Sequence, residues 1–461
     1  MEKNIYDFTV VGGGIGGCAI ASKLSKDYNT LLLEKEPYLG GCSGSFRRGQ
    51  TIYNIGATTF ATYQNGLPVY EFFKEFNLQL NLKKSDPAIT VIIGNQTIHR
   101  YQNIDKFVDE INRVFYHPKN KEFWHKVKNI SDLFYKKADF YYNKQQFIKT
   151  FYHLSKSIIP FSFYFMLPAK KGLEIFLPNI SKEYQEFIDN QILIVAQAKS
   201  DEINFMTLLL SLGYALYDNY YSIGGMGKIF DEISKHIPNL ELKQDVTSIT
   251  KQNNLFILRT KKGAVYKSKN IILNKPIFKQ KPELYTDQSA FVVYLSVKSD
   301  DKFHHHYQII NQTNFKHSIS NSIFVSISDY EDNLIAPKGT YSITISTHTK
   351  VSLWENLTTL EYEIQKQELQ DEIIKLLLSN FPSFYGKIVD VFSATPQTFG
   401  RYIKRKTLGG IPLSFNNLLF NIPSPKVEDN TYYVGDTVFP AQGWPGVVMG
   451  AKNLERIIKN G

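Results

Sequence analysis

Residues 8–17 read Phe8-Thr9-Val10-Val11-Gly12-Gly13-Gly14-Ile15-Gly16-Gly17, an apolar strand that runs straight into a glycine cluster. Gly12, Gly14 and Gly17 stand in the G-x-G-x-x-G arrangement, with Gly16 inside the same turn. The first glycine permits a tight turn, the second lets backbone approach a pyrophosphate, and the third lets helix and strand pack closely. Cys18–Ser25, with Ala19, Ile20 and Leu24 inward, is predicted to be a helix that aims its N-terminal N–H groups at phosphates. A second apolar run, Leu31-Leu32-Leu33, ends at Glu34, where a carboxylate can accept hydrogen bonds from ribose hydroxyls, with Lys35 as a further contact. Strand, turn, helix and spaced acid together predict a dinucleotide-binding unit.

The other end of the chain decides which dinucleotide. Tyr432-Tyr433-Val434 reads as a strand ending at Gly435 and Asp436, and Gly446 and Val447 open a terminal helix. A glycine turn at one terminus and Gly-Asp at the other predict FAD held by both. Between them, Gly41, Cys42 and Ser43 belong to a small-residue loop that can lie along an extended cofactor, and Arg47 can supply charge to its phosphates. Gly56, Ala57 and Thr58 follow in a second small-residue stretch. A glycine-rich surface hairpin is the competing reading of this loop.

GGCSGSFRR at 40–48 followed by NIGATTF at 54–60 resembles the N-terminus of the flavin-dependent carotenoid desaturases, carotenoid isomerases and retinol saturases. Tyr220-Tyr221-Ser222-Ile223-Gly224-Gly225-Met226-Gly227 resembles a central motif of that family. The stretch 394–402 with Gly409-Gly410-Ile411-Pro412 resembles its flavin-side strand and loop, and Gly435-Asp436 through Pro445-Gly446 its closing motif. One departure is Asn54, where family members often carry Asp. The resemblance implies an α/β fold: a Rossmann-like FAD domain of the glutathione-reductase type in discontinuous pieces, plus an α+β substrate domain with a mixed or antiparallel sheet and helical cover. It also implies that Val246 meets the adenine and that Arg401 and Tyr402 lie near the flavin.

Composition bounds the alternatives. A chain of 461 residues can bury a large core and divide into domains. Its two cysteines, Cys18 and Cys42, make no disulfide framework and no thiolate metal cluster, which fits a reducing compartment. Met1–Asp7 is polar, so no leading signal peptide is expected. The net charge of +10 comes from scattered lysines without an Arg-rich block, so no nucleic acid partner is expected. No apolar run reaches the length of a spanning helix. Ile158–Leu167, rimmed by Lys149, Lys156, Lys170 and Lys171, suits shallow insertion into one leaflet, and predicts peripheral, monotopic membrane association on the cytoplasmic side. The competing reading is a buried helix or lid beside a cavity.

The FAD domain is expected from residues 1–85, 218–276 and 386–461. The substrate domain is expected from a helical part at 86–217 and a sheet part at 277–385, with strands near 290–297, 307–310, 323–328 and 341–346, covered by helices on one side. No Ser-His-Asp arrangement stands out, so the reacting centre expected is flavin N5, exchanging hydride with an apolar polyene or isoprenoid by desaturation, saturation or isomerisation. Asp436 is expected to bind a ribityl hydroxyl, and the helix N-terminus at 444–446 to stabilise charge on the reduced ring. His304-His305-His306 on a strand would point to alternate faces, and no acid or thiol completes a metal site. A flavin amine oxidase is the alternative enzyme, and a prenyl-lipid escort protein on a related fold the non-enzyme alternative.

Overall fold

A computed structural model describes residues 5–138, 140–277, 287–407, 409–410, 422–440 and 442–460. Of the residues quoted above, Met1–Asn4, Ile411, Pro412 and Ala441 lie outside this set.

The first piece supplies β1 (Ile5–Val11), α1 (Ile15–Leu24), β2 (Thr30–Leu33), a hairpin of β3 (Ser45–Arg48) and β4 (Thr51–Asn54), α2 (Pro68–Glu75) and β5 (Leu82–Ser85). There follow β6 (Ile89–Ile93), β7 (Gln96–Arg100) and seven helices: α3 (Ile104–Val114), α4 (Asn120–Lys137), α5 (Phe147–Ile158), α6 (Ser162–Met166), α7 (Ala169–Phe176), α8 (Lys182–Ala196) and α9 (Phe205–Gly213). The chain returns through β8 (Asn219–Ser222), α10 (Gly227–Ser234), β9 (Asn239–Glu241), β10 (Val246–Gln252), β11 (Leu255–Thr260) and β12 (Val265–Leu273). Next come β13 (Gln288–Lys298), β14 (His306–Ile310), β15 (Ser322–Ile327), β16 (Thr340–Lys350), α11 (Thr359–Asn380), β17 (Ile388–Ala394) and α12 (Pro396–Ile403). It closes with β18 (Lys426–Glu428), β19 (Thr431–Tyr433) and α13 (Gly443–Asn460).

Three pieces of chain build one sheet. Its parallel centre runs β9–β2–β1–β12, and β19 adds to β12 in parallel through Ile271↔Thr431 and Leu273↔Tyr433. The antiparallel strands β11 and β10 extend it. All four residues of β2 are buried, the continuous apolar signature of a parallel strand covered on both faces. Helices α1 and α13 pack together under the sheet, joining Ile20 and Leu24 to Val448, Ala451 and Leu454 in one core.

The second sheet has the order β17–β13–β16–β15–β14–β6–β7, antiparallel except where β14 meets β6. The mixed sheet is as expected, and the four strands anticipated from sequence match β13 to β16 within a few residues. One face is aliphatic (Val293, Leu295, Ile343, Ile345, Val325) and packs on Leu369, Ile373 and Leu377 of α11. Helix α8 covers the other face, where Gln191 Nε2 bonds Gln308 Oε1 of β14. Helices therefore lie over both faces rather than one.

Three further corrections follow. β6 and β7 belong to the sheet although residues 86–217 read as helical. β17 pairs along β13 from Val292↔Ala394 to Val297↔Ile388, so residues 388–394, expected in the closing segment, belong to the second sheet. In Ile158–Leu167 the apolar residues split: Phe161 and Phe165 are buried, while Ile159, Phe163 and Met166 are exposed. The exposed apolar surface extends into α5 through Phe147, Ile148, Phe151 and Tyr152. No helix among the described residues is long and apolar enough to cross a membrane.

Candidate functional site: a two-ended cofactor cleft opening on a cavity

The glycine turn is built by close approaches that side chains would block. Gly12 sits at φ +105°, its N–H on Leu33 O at 2.8 Å, and a Cβ on it would lie 2.7 Å from Asn274 O. Helix α1 starts at Ile15, with no side-chain cap and no acidic residue in its first turn. Such an end favours an anion. Asn274 follows β12 and joins the two termini: its Nδ2 donates to Gly12 O at 3.2 Å, and a Cβ on Gly435 (φ +127°) would lie 3.0 Å from its Oδ1. A Cβ on Gly16 would lie 3.0 Å from Gly435 N. The signal for Asn274 was a lone polar residue ending the run Ile271-Ile272-Leu273 beside β1.

Glu34 faces the turn. Its Oε2 accepts from Gly13 N–H at 2.6 Å and its Oε1 from Glu36 N–H at 2.8 Å. Burial raises its pKa despite these two bonds. Lys35 pairs with Glu36 at 2.6 Å and with the carbonyl of Tyr402. Val246 is partly buried at the start of β10, packed with the Leu31–Leu33 side of the sheet.

The small-residue loop comes back onto the turn. Gly40 N–H donates to Gly13 O at 2.7 Å, and a Cβ on Gly41 would be 3.4 Å from Gly14 Cα. Ala57 N–H donates to Cys42 O at 3.1 Å, the atom that a Cβ on Gly56 would also approach to 3.1 Å. Ser43 Oγ accepts from Trp444 Nε1 at 2.9 Å, tying the loop to the first turn of α13, where Gly446 and Val447 are buried. Burial pushes the Cys42 thiol upward, with Arg405 opposing. Thr58 Oγ1 meets His306 Nε2 at 3.0 Å and Ser326 Oγ at 2.8 Å, which anchors this loop to the second sheet. Asn54 has a plain role: its Oδ1 accepts from Ser45 Oγ and from Met226 N–H at the head of α10. An amide oxygen serves there as well as a carboxylate.

Asp436 has a protein partner. Its Oδ2 pairs at 2.8 Å with Arg405 Nη1, and the guanidinium also reaches the carbonyls of Thr407 and Gly409. Burial opposes this charge, but the Asp436 carboxylate more than offsets it, so the Arg405 pKa is raised. Arg401 and Tyr402, expected near the flavin, are both exposed on α12. Helix α12 ends at Lys404 in left-handed conformation (φ 57°), which redirects the chain so that Arg405 turns inward. Arg47 lies exposed on β3 with Nη1 at 3.5 Å from Gln50 O, and is not among the residues that line the adjoining cavity.

The small-residue loops and the first turn of α13 border a cavity of about 490 Å³, in the usual range for a small-molecule site. Ser43, Gly56, Asp436 and Trp444 stand at the cofactor end, and Leu193, Ile194, Leu210, Phe134 and Phe165 wall the rest. Asp436 is the sole acidic side chain among its described lining residues. The three consecutive histidines separate: His304 meets Thr90, His305 stacks on Tyr221 and His306 holds Thr58. No group of three or more potential metal ligands comes together among the described residues.

The fold and the paired terminal motifs define a chain of the FAD-dependent oxidoreductase fold, of the enzyme class. Residues 10–76 match the family model for an NAD(P)-binding Rossmann-like domain. The chain is homologous to carotenoid isomerases and desaturases. Prolycopene isomerase of Daucus carota is 27% identical over 95% of this chain and 77% of its own length. A 1-hydroxycarotenoid 3,4-desaturase of Flavobacterium sp. (strain P99-3) is 22% identical over 100% of this chain and 99% of its own. Among solved structures, a double mutant of putrescine oxidase superposes with a TM-score of 0.63 at 12% identity, covering 99% of this chain and 98% of that one.

Proposed function

We propose that the cleft holds FAD and that the protein is an oxidoreductase acting on an apolar polyene or isoprenoid, carotenoid- or retinoid-like, by desaturation, saturation or cis-trans isomerisation. The observation that carries this reading is one cavity in which Cys42, Ser43, Gly56, Asp436 and Gly446 of the expected cofactor loops share a lining with the apolar Leu193, Ile194, Leu210 and Phe165. Bound flavin would supply hydride exchange at its N5. The uncapped N-terminus of α1 would take the pyrophosphate, Glu34 the ribose, Asp436 with Arg405 the ribityl side, and the first turn of α13 the electron-rich edge of the ring. The apolar walls would exclude water and orient the chain of the substrate. An amine substrate finds less here, because the one carboxylate among the described lining residues is spent on Arg405. The purified protein should be yellow and release FAD on denaturation. A colourless protein, or one releasing only NAD(H), would overturn the reading, and a colourless protein that binds prenyl lipid would favour the escort alternative.

A peripheral membrane contact belongs to the same proposal. Phe147, Ile148, Phe151, Phe163 and Met166 are exposed, with Lys144, Lys156, Lys170 and Lys171 exposed around them. Phe165, between Phe163 and Met166, lines the cavity, so an apolar substrate could pass from a leaflet inward along this segment. Phe147→Ser, Phe151→Ser and Phe163→Ser together should abolish sedimentation with anionic liposomes while leaving the melting temperature within a few degrees, because exposed sites contribute little to stability. Undiminished sedimentation of that variant would remove this surface as the anchor.

A further inference from the structure

The face of the second sheet that looks into the cavity is unlike its aliphatic reverse. On β16, Thr344, Ser346 and His348 alternate onto one side, and all three line the cavity. Register sets Tyr294, Val292 and Ala290 of β13 beside them in turn, with Ser326 and Phe324 of β15 flanking the first two. Other polar residues on this floor are spent: Ser326 on Thr58, Gln308 on Asn190 O and Ser322, Ser289 on Lys406 O. The side chains of Thr344, Ser346 and His348 have no hydrogen-bond partner among the described residues. Three unspent polar groups in a row, opposite a wall of Leu193, Ile194 and Leu210, are costly unless water or a ligand meets them.

The charge balance narrows the ligand. Burial lowers the pKa of His348 to about 4, so its ring is neutral at physiological pH and offers one donor and one acceptor. The cations nearest the cofactor end are both paired, Arg405 with Asp436 and Lys406 with Glu355 at 2.7 Å. Neither is left for a substrate carboxylate. A hydroxyl group both donates and accepts, and a carbonyl accepts, as two hydroxyls and a neutral imidazole require.

We propose that Thr344, Ser346 and His348 form a polar strip that docks a neutral oxygen function, a hydroxyl or carbonyl, on an otherwise apolar substrate. The preferred substrate is then an oxygenated isoprenoid rather than a hydrocarbon. The inference rests on the apolar-substrate reading above, and adds a specificity determinant to it. A hydrocarbon laid on the strip strips its water and returns no hydrogen bond, whereas an alcohol replaces what the water supplied.

The test titrates the flavin-loaded protein with geranylgeraniol and with the hydrocarbon of the same skeleton lacking the hydroxyl. Fluorescence of Trp444, which lines the same cavity, reports binding. The alcohol should bind at least about 10-fold more tightly. In Thr344→Val/Ser346→Ala/His348→Leu that preference should fall to about 2-fold or less, with hydrocarbon binding unchanged or improved. Ser346→Ala alone, a deletion of one oxygen that spares the fold, should lose part of the preference. Equal affinities in the parent protein, or a preference that survives the triple substitution, overturn the strip while leaving the apolar reading intact. Binding of neither ligand overturns that reading, and the strip with it.

Discussion

Gly17→Ala should give a protein that retains no FAD and is less stable by about 3 kcal/mol or more, since the added atom meets backbone and not a movable side chain. A Cβ at Gly17 would stand 1.9 Å from Gly12 O, 3.1 Å from Gly12 C and 3.0 Å from Asn274 Nδ2. The Gly12 carbonyl has nowhere to go: its residue is fixed by the N–H bond to Leu33 O and it accepts from Asn274. Relief therefore means pulling α1 away from β1, which opens the turn that would hold the pyrophosphate. Gly263→Ala is the matched control. Unlike the helical Gly17 it lies at positive φ (+85°), but it has nothing within 4 Å of its Cβ, so only the left-handed backbone penalty of about 1–2 kcal/mol applies. Chemical unfolding and flavin content of both variants test the contrast. A Gly17→Ala protein that melts with the parent and carries FAD would show that the helix–strand contact has slack that the structure denies.

The turn was legible in the sequence because each glycine answers a local need, and local needs leave a fixed spacing. β13 to β16 were legible for a similar reason, as apolar or alternating runs of strand length. β6 and β7 were not, because a hairpin of two five-residue strands placed just before a long run of amphipathic helices is easily absorbed into it. Helix α11 carried a readable start, the capping box of Thr358 and Glu361, but its weakly segregated surface hid its extent. The harder failures lie in pairings between distant residues. Nothing near Asp436 names Arg405, which comes from a loop 31 positions earlier that turns inward only after the left-handed Lys404. Nothing near His348 tells which face of β16 it occupies until the sheet has α11 packed on one side and the cavity, with α8 beyond it, on the other.

The Arg405–Asp436 pair leads to the other large effect. Arg405 is mostly buried, its side chain 10% exposed against 24% for Asp436, so removing the carboxylate takes away the acidic partner of a buried guanidinium. Breaking a buried pair from one side costs about 3–5 kcal/mol, much of it from the orphaned charge. Asp436→Ala should therefore lose both melting temperature and FAD, which by itself cannot tell a cofactor ligand from a partner of Arg405. The double variant Asp436→Ala/Arg405→Met separates the roles, because replacing both members of a buried pair with apolar groups recovers much of the stability. If Asp436 also takes a ribityl hydroxyl, the double variant should fold near the parent's melting temperature yet bind FAD about 10- to 150-fold more weakly, the equivalent of about 1.5–3 kcal/mol for a lost charged hydrogen bond. Parent-like FAD affinity in that folded double variant would leave Asp436 with a single task, holding Arg405 at the mouth of the cavity.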